Sequence, residues 1–264
     1  MSEMTEGKQR KGSALKAMVS FFTVIRTPIE QEDMDAMEKR FWLVPLVGLL
    51  VGLVAFGVCV LASYCGLGVM VQAVFALATA YLFSKFIHLD GLIDFGDGMI
   101  CSSADREKHV RALKDTLVGA GGVGVGIIVV LMIVIMYLDA GIRVAPYLHE
   151  HVAIASLALV CEVLSKNSQV TAAAIGKPGN GMAARQVSMT TPASAAKAAV
   201  LSLIIVMAVI VANIYAMGMT VTSADPIYYM AGVVALLASM LAGIIVARTA
   251  NKAFGFVNGD ILGA

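Results

Sequence analysis

The sequence predicts an all-α polytopic membrane protein, a single integral membrane domain over residues 1–264 with both termini in the cytoplasm. Composition is the first reason: 59% of residues are hydrophobic and 14% charged, with mean hydropathy +0.86, where soluble domains run to about 45–50% apolar and about 25% charged. Long uncharged runs are the second, and the side on which Lys and Arg fall is the third.

Crossing the hydrocarbon of a bilayer takes about 20 apolar residues in a helix. Six runs meet that length: Trp42–Tyr64, Leu67–Ile87, Gly119–Leu138, Val152–Ile175, Ala198–Met217 and Ile227–Ala247. Of the 19 basic residues, 16 fall before the first run or after the second, fourth and sixth, Lys85 and Lys166 lie toward the inner ends of the second and fourth, and only Arg143 falls on the other side. Basic residues concentrate on the cytoplasmic side, so an even number of spans and cytoplasmic ends follow. Lys8, Arg10, Lys11, Lys16, Arg26, Lys39 and Arg40 then lie in a cytosolic or interfacial N-terminal segment, residues 1–40. Residues 90–118 and 176–197 form cytoplasmic loops, and the protein is expected in the cell membrane with its active site on the cytoplasmic face.

No apolar core with a small-residue cleavage site marks a secretory signal. Leu15, Met18, Val19, Phe22 and Ile25 recur at helical spacing, which predicts an amphipathic helix lying on the inner membrane surface. Gly48-x-x-x-Gly52 and Gly122-x-x-x-Gly126 let helices approach closely, within the chain rather than across a dimer seam. Cys59, Cys65, Cys101 and Cys161 lack metal or disulfide spacing and are expected to be buried thiols.

The chemistry concentrates in His88-Leu-Asp-Gly-Leu-Ile-Asp-Phe-Gly-Asp-Gly98. Asp90, Asp94 and Asp97 stand at i, i+4 and i+7, within about 60° of one another around a helix. Three like charges at a membrane boundary repel unless cations neutralise them, and hard divalent ions such as Mg²⁺ take carboxylate and phosphate oxygens. The cluster therefore predicts a metal site for phosphoryl transfer, with Gly91, Gly96 and Gly98 leaving room for a bulky ligand. A solvated acidic loop is the plainer alternative.

Other inner segments would complete such a site. Lys114-Asp-Thr-Leu-Val-Gly119 opens a helix, where free N–H groups favour an anion. Gly176-Lys-Pro-Gly-Asn-Gly181 and Arg185 suit a diphosphate, and Asn258-Gly-Asp260 adds a carboxylate. Glu162, Lys166 and Asn167 are costly in lipid, and read as an internal ion pair or as lining of a substrate chamber. His88 is a general base, a phosphate donor or a boundary histidine.

These residues resemble the cobalamin synthases, the adenosylcobinamide-GDP ribazoletransferases of vitamin B12 assembly. The resemblance rests on Phe22-Thr-Val-Ile-Arg-Thr-Pro28, Phe41-Trp-Leu-Val-Pro-Leu-Val-Gly48, the His88–Gly98 segment, Arg106-Glu-Lys, Lys114–Gly119, the Gly176–Gly181 loop and the ending Gly255–Ala264. It implies that the 5′ oxygen of α-ribazole, or of its 5′-phosphate, attacks the phosphate on cobinamide and that GMP departs, with Mg²⁺ as cofactor. On that pattern Asp90, Asp94 and Asp97 hold the metal, and Asp94, Asp97 or His88 serves catalysis. Lys114, Asp115, Gly119, Lys177, Arg185 and Asp260 bind substrate. The bilayer is a further partner, no nucleic acid is expected, and a homo-oligomer stays open.

The chain departs from the family at Leu117, where an Arg is usual, and at Lys177-Pro178, where Arg-Pro is frequent. Relatives commonly run past Leu-Gly-Ala, so a trimmed C-terminus is expected. A CDP-alcohol phosphotransferase would carry Ala-Arg where Ile93-Asp94 stands. A prenyltransferase would show a second aspartate-rich motif, and an ion or metal transporter would place its charges at mid-membrane.

Overall fold

A computed structural model describes residues 12–102, 105–144 and 150–264, so Lys8, Arg10 and Lys11 of the expected N-terminal segment lie outside it. In chain order the helices are α1 (Ala14–Phe22), α2 (Gln31–Lys39), a 3-10 turn (Phe41–Leu43), α3 (Pro45–Tyr64), α4 (Val69–Phe83), α5 (Ile87–Ile100) and α6 (Arg106–Leu113). They continue as α7 (Ala120–Val144), α8 (Glu150–Ile175), α9 (Ala183–Met189), α10 (Pro192–Ala216), α11 (Pro226–Ala253) and α12 (Gly259–Gly263).

Among the described residues, four helices are long and apolar enough to cross a membrane: Phe41–Tyr64 including the 3-10 turn, Ala120–Arg143, Pro192–Ala216 and Pro226–Ala253. Their outer faces are rows of exposed apolar side chains, such as Ile127, Leu131 and Ile135 on α7 and Val234, Leu237 and Leu241 on α11. Such contiguous apolar surface suits lipid rather than water.

The other two expected spans differ. The run Leu67–Ile87 does not continue straight: α4 stops at Phe83 and α5 leaves it at 91°, so at most the bent pair together makes one crossing. The break is built by Lys85 (φ 56°) and Phe86 (φ 58°), consecutive left-handed residues, a conformation costing roughly 1–2 kcal/mol per non-glycine residue. Local bonds hold it: Ser84 Oγ donates to the Ala80 carbonyl at 2.6 Å and the Phe86 N–H to the Tyr81 carbonyl at 2.8 Å. Lys85 Nζ also donates to the Ser20 carbonyl, tying the bend to α1. The acidic cluster is therefore a helix of its own rather than the start of a loop, and α6 fills much of the rest of the expected 90–118 loop.

α8 has the length to cross, but Glu162, Lys166, Asn167 and Gln169 lower its hydropathy and it is not among the four. It needs no greasy surface, because it lies at the centre against α3, α11, α10, α7 and α4. Close approach depends on glycine: a Cβ at Gly48 would strike the Glu162 carbonyl, and one at Gly52 would sit 2.8 Å from Leu159 Cα. Gly122 and Gly126 likewise meet Ile93 of α5, so both small-residue pairs serve packing within the chain.

The amphipathic stripe near the N-terminus is only half as expected. α1 buries Ala14, Ala17, Met18 and Phe22 against Met37, Phe41 and Val44, while Leu15 and Ile25 are exposed. It packs on the body of the protein through Met18 and Phe22 of the stripe together with Ala14 and Ala17. The expected 176–197 loop also contains α9 and the first turn of α10.

Candidate active site

Two short C-terminal elements converge on the start of α5. After α11, the segment 254–258 lies against the Gly176–Gly181 loop: the Val257 N–H donates to the Lys177 carbonyl at 2.7 Å, and Pro178 and Val257 form an isolated parallel bridge. Asn258 then caps α12 through the Ile261 N–H, while its amide donates to Asp260 Oδ2 at 2.7 Å. α12 packs on α5 where neither has a side chain, since a Cβ on Gly91 would lie 2.5 Å from the Asp260 carbonyl oxygen. Gly96 and Gly98 face Val125 and Phe254 in the same way. The three glycines of the motif thus admit neighbouring helices, where the sequence suggested room for a ligand.

This packing brings Asp90 and Asp260, distant in sequence, to one cavity of about 360 Å³. Its lining also includes His88, Glu38, Gln169, Gln186, Asn180 and Gly181, with Phe21, Phe22, Met34, Met37 and Phe41 as apolar wall. Burial pushes the Asp260 carboxyl up; the Asn258 amide opposes that, the Asp90 charge adds to it and Lys114 opposes it. Lys114 itself stands over the Phe256 ring at 5.5 Å.

The three aspartates of α5 do not share one environment. Asp90 is exposed and Asp94 half-buried, and neither side chain has a hydrogen bond or ion pair among the described residues. Asp97 is engaged at both oxygens, accepting from the Gly119 N–H at 2.7 Å and the Gly122 N–H at 2.6 Å. The anion at the start of α7 is thus the chain's own carboxylate.

His88 sits between two cavities. It lines the site just described and also a larger one of about 520 Å³ among α4, α5, α7, α8 and α11, walled by Leu77, Tyr81, Leu92 and Tyr137. Lys166 Nζ lies 2.8 Å from His88 Nε2 and 3.8 Å from Glu162, with only 2% of the Lys166 side chain exposed. An ammonium only donates, so Nε2 is the acceptor and the ring hydrogen sits on Nδ1, 3.2 Å from the Gln169 amide. Gln169 turned with Oε1 toward the ring receives that hydrogen, which pairs an oxygen otherwise without a partner. Both nitrogens of His88 are then occupied.

The remaining sequence candidates are dispersed. Arg185 is held by Asp35 at 3.4 Å and Glu38 at 3.2 Å. Lys177 is exposed at the outer side of its loop. Asp115 caps its own turn by accepting from the Leu117 N–H at 3.0 Å and lines a separate shallow recess with Lys114. Glu38, Gln169 and Gln186 are lining residues that sequence reasoning missed; a lone polar residue in an amphipathic helix carries no spacing signal.

A Mg²⁺ site can be tested against this arrangement. No three His, Cys, Asp or Glu among the described residues are grouped to hold an ion. Magnesium, however, usually takes one or two carboxylates together with substrate phosphates rather than an all-protein cage. Asp90 and Asp94, one turn apart and without partners, fit that donor set.

The profile of the cobalamin-5-phosphate synthase family matches residues 14–264. The chain belongs to that family. Among curated relatives, an adenosylcobinamide-GDP ribazoletransferase of Methanocella arvoryzae is 31% identical over 255 residues, covering 96% of this chain and 90% of the relative. Proteins of the same name from Methanosarcina barkeri and Methanococcoides burtonii are 30% identical over 172 residues and 26% over 256. These alignments cover 62% and 95% of this chain, and 59% and 86% of the relatives. No solved structure matches. The cobalamin-5-phosphate synthase match makes the chain a transferase of cobalamin synthesis, and it runs from α1 to α12, so the cavity of Asp90 and Asp260 lies wholly within the matched region.

Proposed function

We propose that this membrane enzyme transfers cobinamide phosphate from adenosylcobinamide-GDP to α-ribazole or its 5′-phosphate, releasing GMP in a Mg²⁺-dependent reaction. The observation that carries the reading is the meeting of Asp90 and Asp260 in one cavity beside the unpartnered Asp94. In the family's name the product keeps a 5-phosphate. An oxygen already carrying that phosphate is unavailable, so the attacking group is a free ribose hydroxyl rather than the 5′ oxygen expected from the resemblance.

Asp90 and Asp94 would hold Mg²⁺, which when bound neutralises charge on the diphosphate and orients its leaving oxygen. The ribose oxygen forms a bond to the phosphorus bearing cobinamide, and the bond from that phosphorus to the oxygen bridging it to GMP breaks. GMP leaves with that oxygen. The hydroxyl proton passes to a carboxylate oxygen of Asp90 or Asp94, because His88 has neither nitrogen free. Asp97 positions α7 against α5, Asp260 lines the phosphate end, and Lys114 offsets its charge. Lys177 and Arg185 act by shaping the loops near the cavity, and Asp115 and Gly119 by shaping the turn and cap that lead into α7.

On this reading the bent α4–α5 pair and α8 join the four long apolar helices as fifth and sixth crossings, with the cavity on the cytoplasmic face of the cell membrane. The positive-inside distribution supports that orientation. Neither CDP-alcohol transfer nor ion transport has an observation in its favour beside the full-length family match.

The test is product analysis. Purified protein in lipid nanodiscs, given Mg²⁺, adenosylcobinamide-GDP and α-ribazole, should yield one GMP per completed corrinoid. Failure there, with CMP released from a CDP-alcohol, would overturn the proposal.

A further inference from the structure

The lining of the cavity includes polar groups that phosphoryl transfer does not use. Gln186 of α9 is 6% exposed, lines the cavity, and among the described residues its Nε2 has no hydrogen-bond partner. Glu38 of α2 is 8% exposed; its Oε2 accepts no hydrogen bond, although Arg185 Nε stands 3.2 Å away as an ion pair. A buried amide donor left open is expensive, by about 1–3 kcal/mol, and Glu38 keeps hydrogen-bond capacity free beside its ion pair. The same cavity is lined by the aromatic side chains of Phe21, Phe22 and Phe41. That combination suits a flat heterocycle lying on the aromatic wall with its polar edge toward α2 and α9.

Resting on the phosphoryl-transfer reading above, we infer that Glu38 and Gln186 read the base of the leaving nucleotide as guanine. Guanine presents two neighbouring donors, N1–H and the N2 amine, beside the O6 acceptor. A carboxylate accepts from the two donors and an amide donates to O6. Adenine offers one donor and an unprotonated N1 in those places, so it satisfies the pair less well. Arg185, 3.2 Å from Glu38, fixes its direction, which gives that cation a role without contact to phosphate. The diphosphate then extends toward Asp90 and Asp260, which line the same cavity. A site built to bond a polar group rejects an analogue lacking it far more strongly than an apolar pocket rejects a missing methyl.

The experiment measures binding of GMP, IMP and AMP to the purified full chain by equilibrium dialysis in detergent with Mg²⁺, and in parallel KM and kcat for adenosylcobinamide-GDP. IMP lacks only the N2 amine. Wild type should bind GMP at least about tenfold more tightly than IMP or AMP. Glu38→Gln should lose the preference of GMP over IMP and raise KM with kcat largely kept, and Gln186→Met should weaken GMP and IMP alike. Gel filtration and thermal melting establish that each variant is folded; should Glu38→Gln not fold, the GMP to IMP ratio of wild type and the Gln186→Met variant still decide. Equal binding of GMP and IMP by wild type, or an unchanged ratio in Glu38→Gln, overturns the assignment even where GMP is produced normally. Absence of turnover together with selective GMP binding would instead count against the reaction and leave the guanine site standing.

Discussion

Asp97 accepts a hydrogen bond from the Gly119 N–H at 2.7 Å, and through its other oxygen one from Gly122, so a carboxylate of α5 caps the helix that packs beside it. The consequence is a division of labour along one acidic face. Asp97 is committed to structure, while Asp90 and Asp94 present free oxygens where phosphate is expected.

Substitutions should separate those roles. Asp97→Ala removes both capping bonds and should lower stability by about 1–2 kcal/mol, visible as a fall in melting temperature. Asp90→Asn should leave the melt unchanged and reduce turnover by roughly 100-fold, with partial recovery at raised Mg²⁺. A reversed pattern, with Asp97 the kinetic residue and Asp90 the structural one, would refute the division.

Gly91→Ala addresses the junction of α5 and α12. The added methyl would lie 2.5 Å from the Asp260 carbonyl, and overpacking of this kind costs roughly 1–3 kcal/mol. Because α12 carries Asp260, activity should fall further than stability accounts for. Normal turnover in a stably folded Gly91→Ala protein would show that the placement of Asp260 is unimportant.

The buried pair on α8 predicts a non-additive response. Lys166→Met leaves Glu162 without its partner and should destabilise by about 3–5 kcal/mol. Adding Glu162→Gln should restore much of that loss, as read by denaturant titration in detergent. His88 should also lose its fixed orientation in the single variant, so the double variant should recover stability more fully than rate. Full recovery of both would mean that the lysine does nothing for His88.

Much of this was legible in the sequence because spacing is local information. The interval between Asp90, Asp94 and Asp97 fixes their common helix face, and uncharged runs mark α3, α7, α10 and α11 as spans. The bend at Lys85 and Phe86 was not legible, because neither residue is a glycine or proline and the apolar run passes through it. The choice of Asp97 over Asp94 as the cap of α7 is tertiary: it depends on Gly122 bringing α7 against Ile93. Glu38 and Gln186 join the site only because α2 and α9 pack together, which no periodicity within either helix reports.

The central claim is that Asp90, with the neighbouring Asp94, holds the metal for phosphoryl transfer. The most direct test follows GMP release against Mg²⁺ concentration for wild type and Asp90→Asn side by side. Wild type should be silent in chelator and saturate with Mg²⁺, and the variant should need a higher concentration to reach a lower plateau. Release unaffected by chelator, or identical curves for the two proteins, would contradict it.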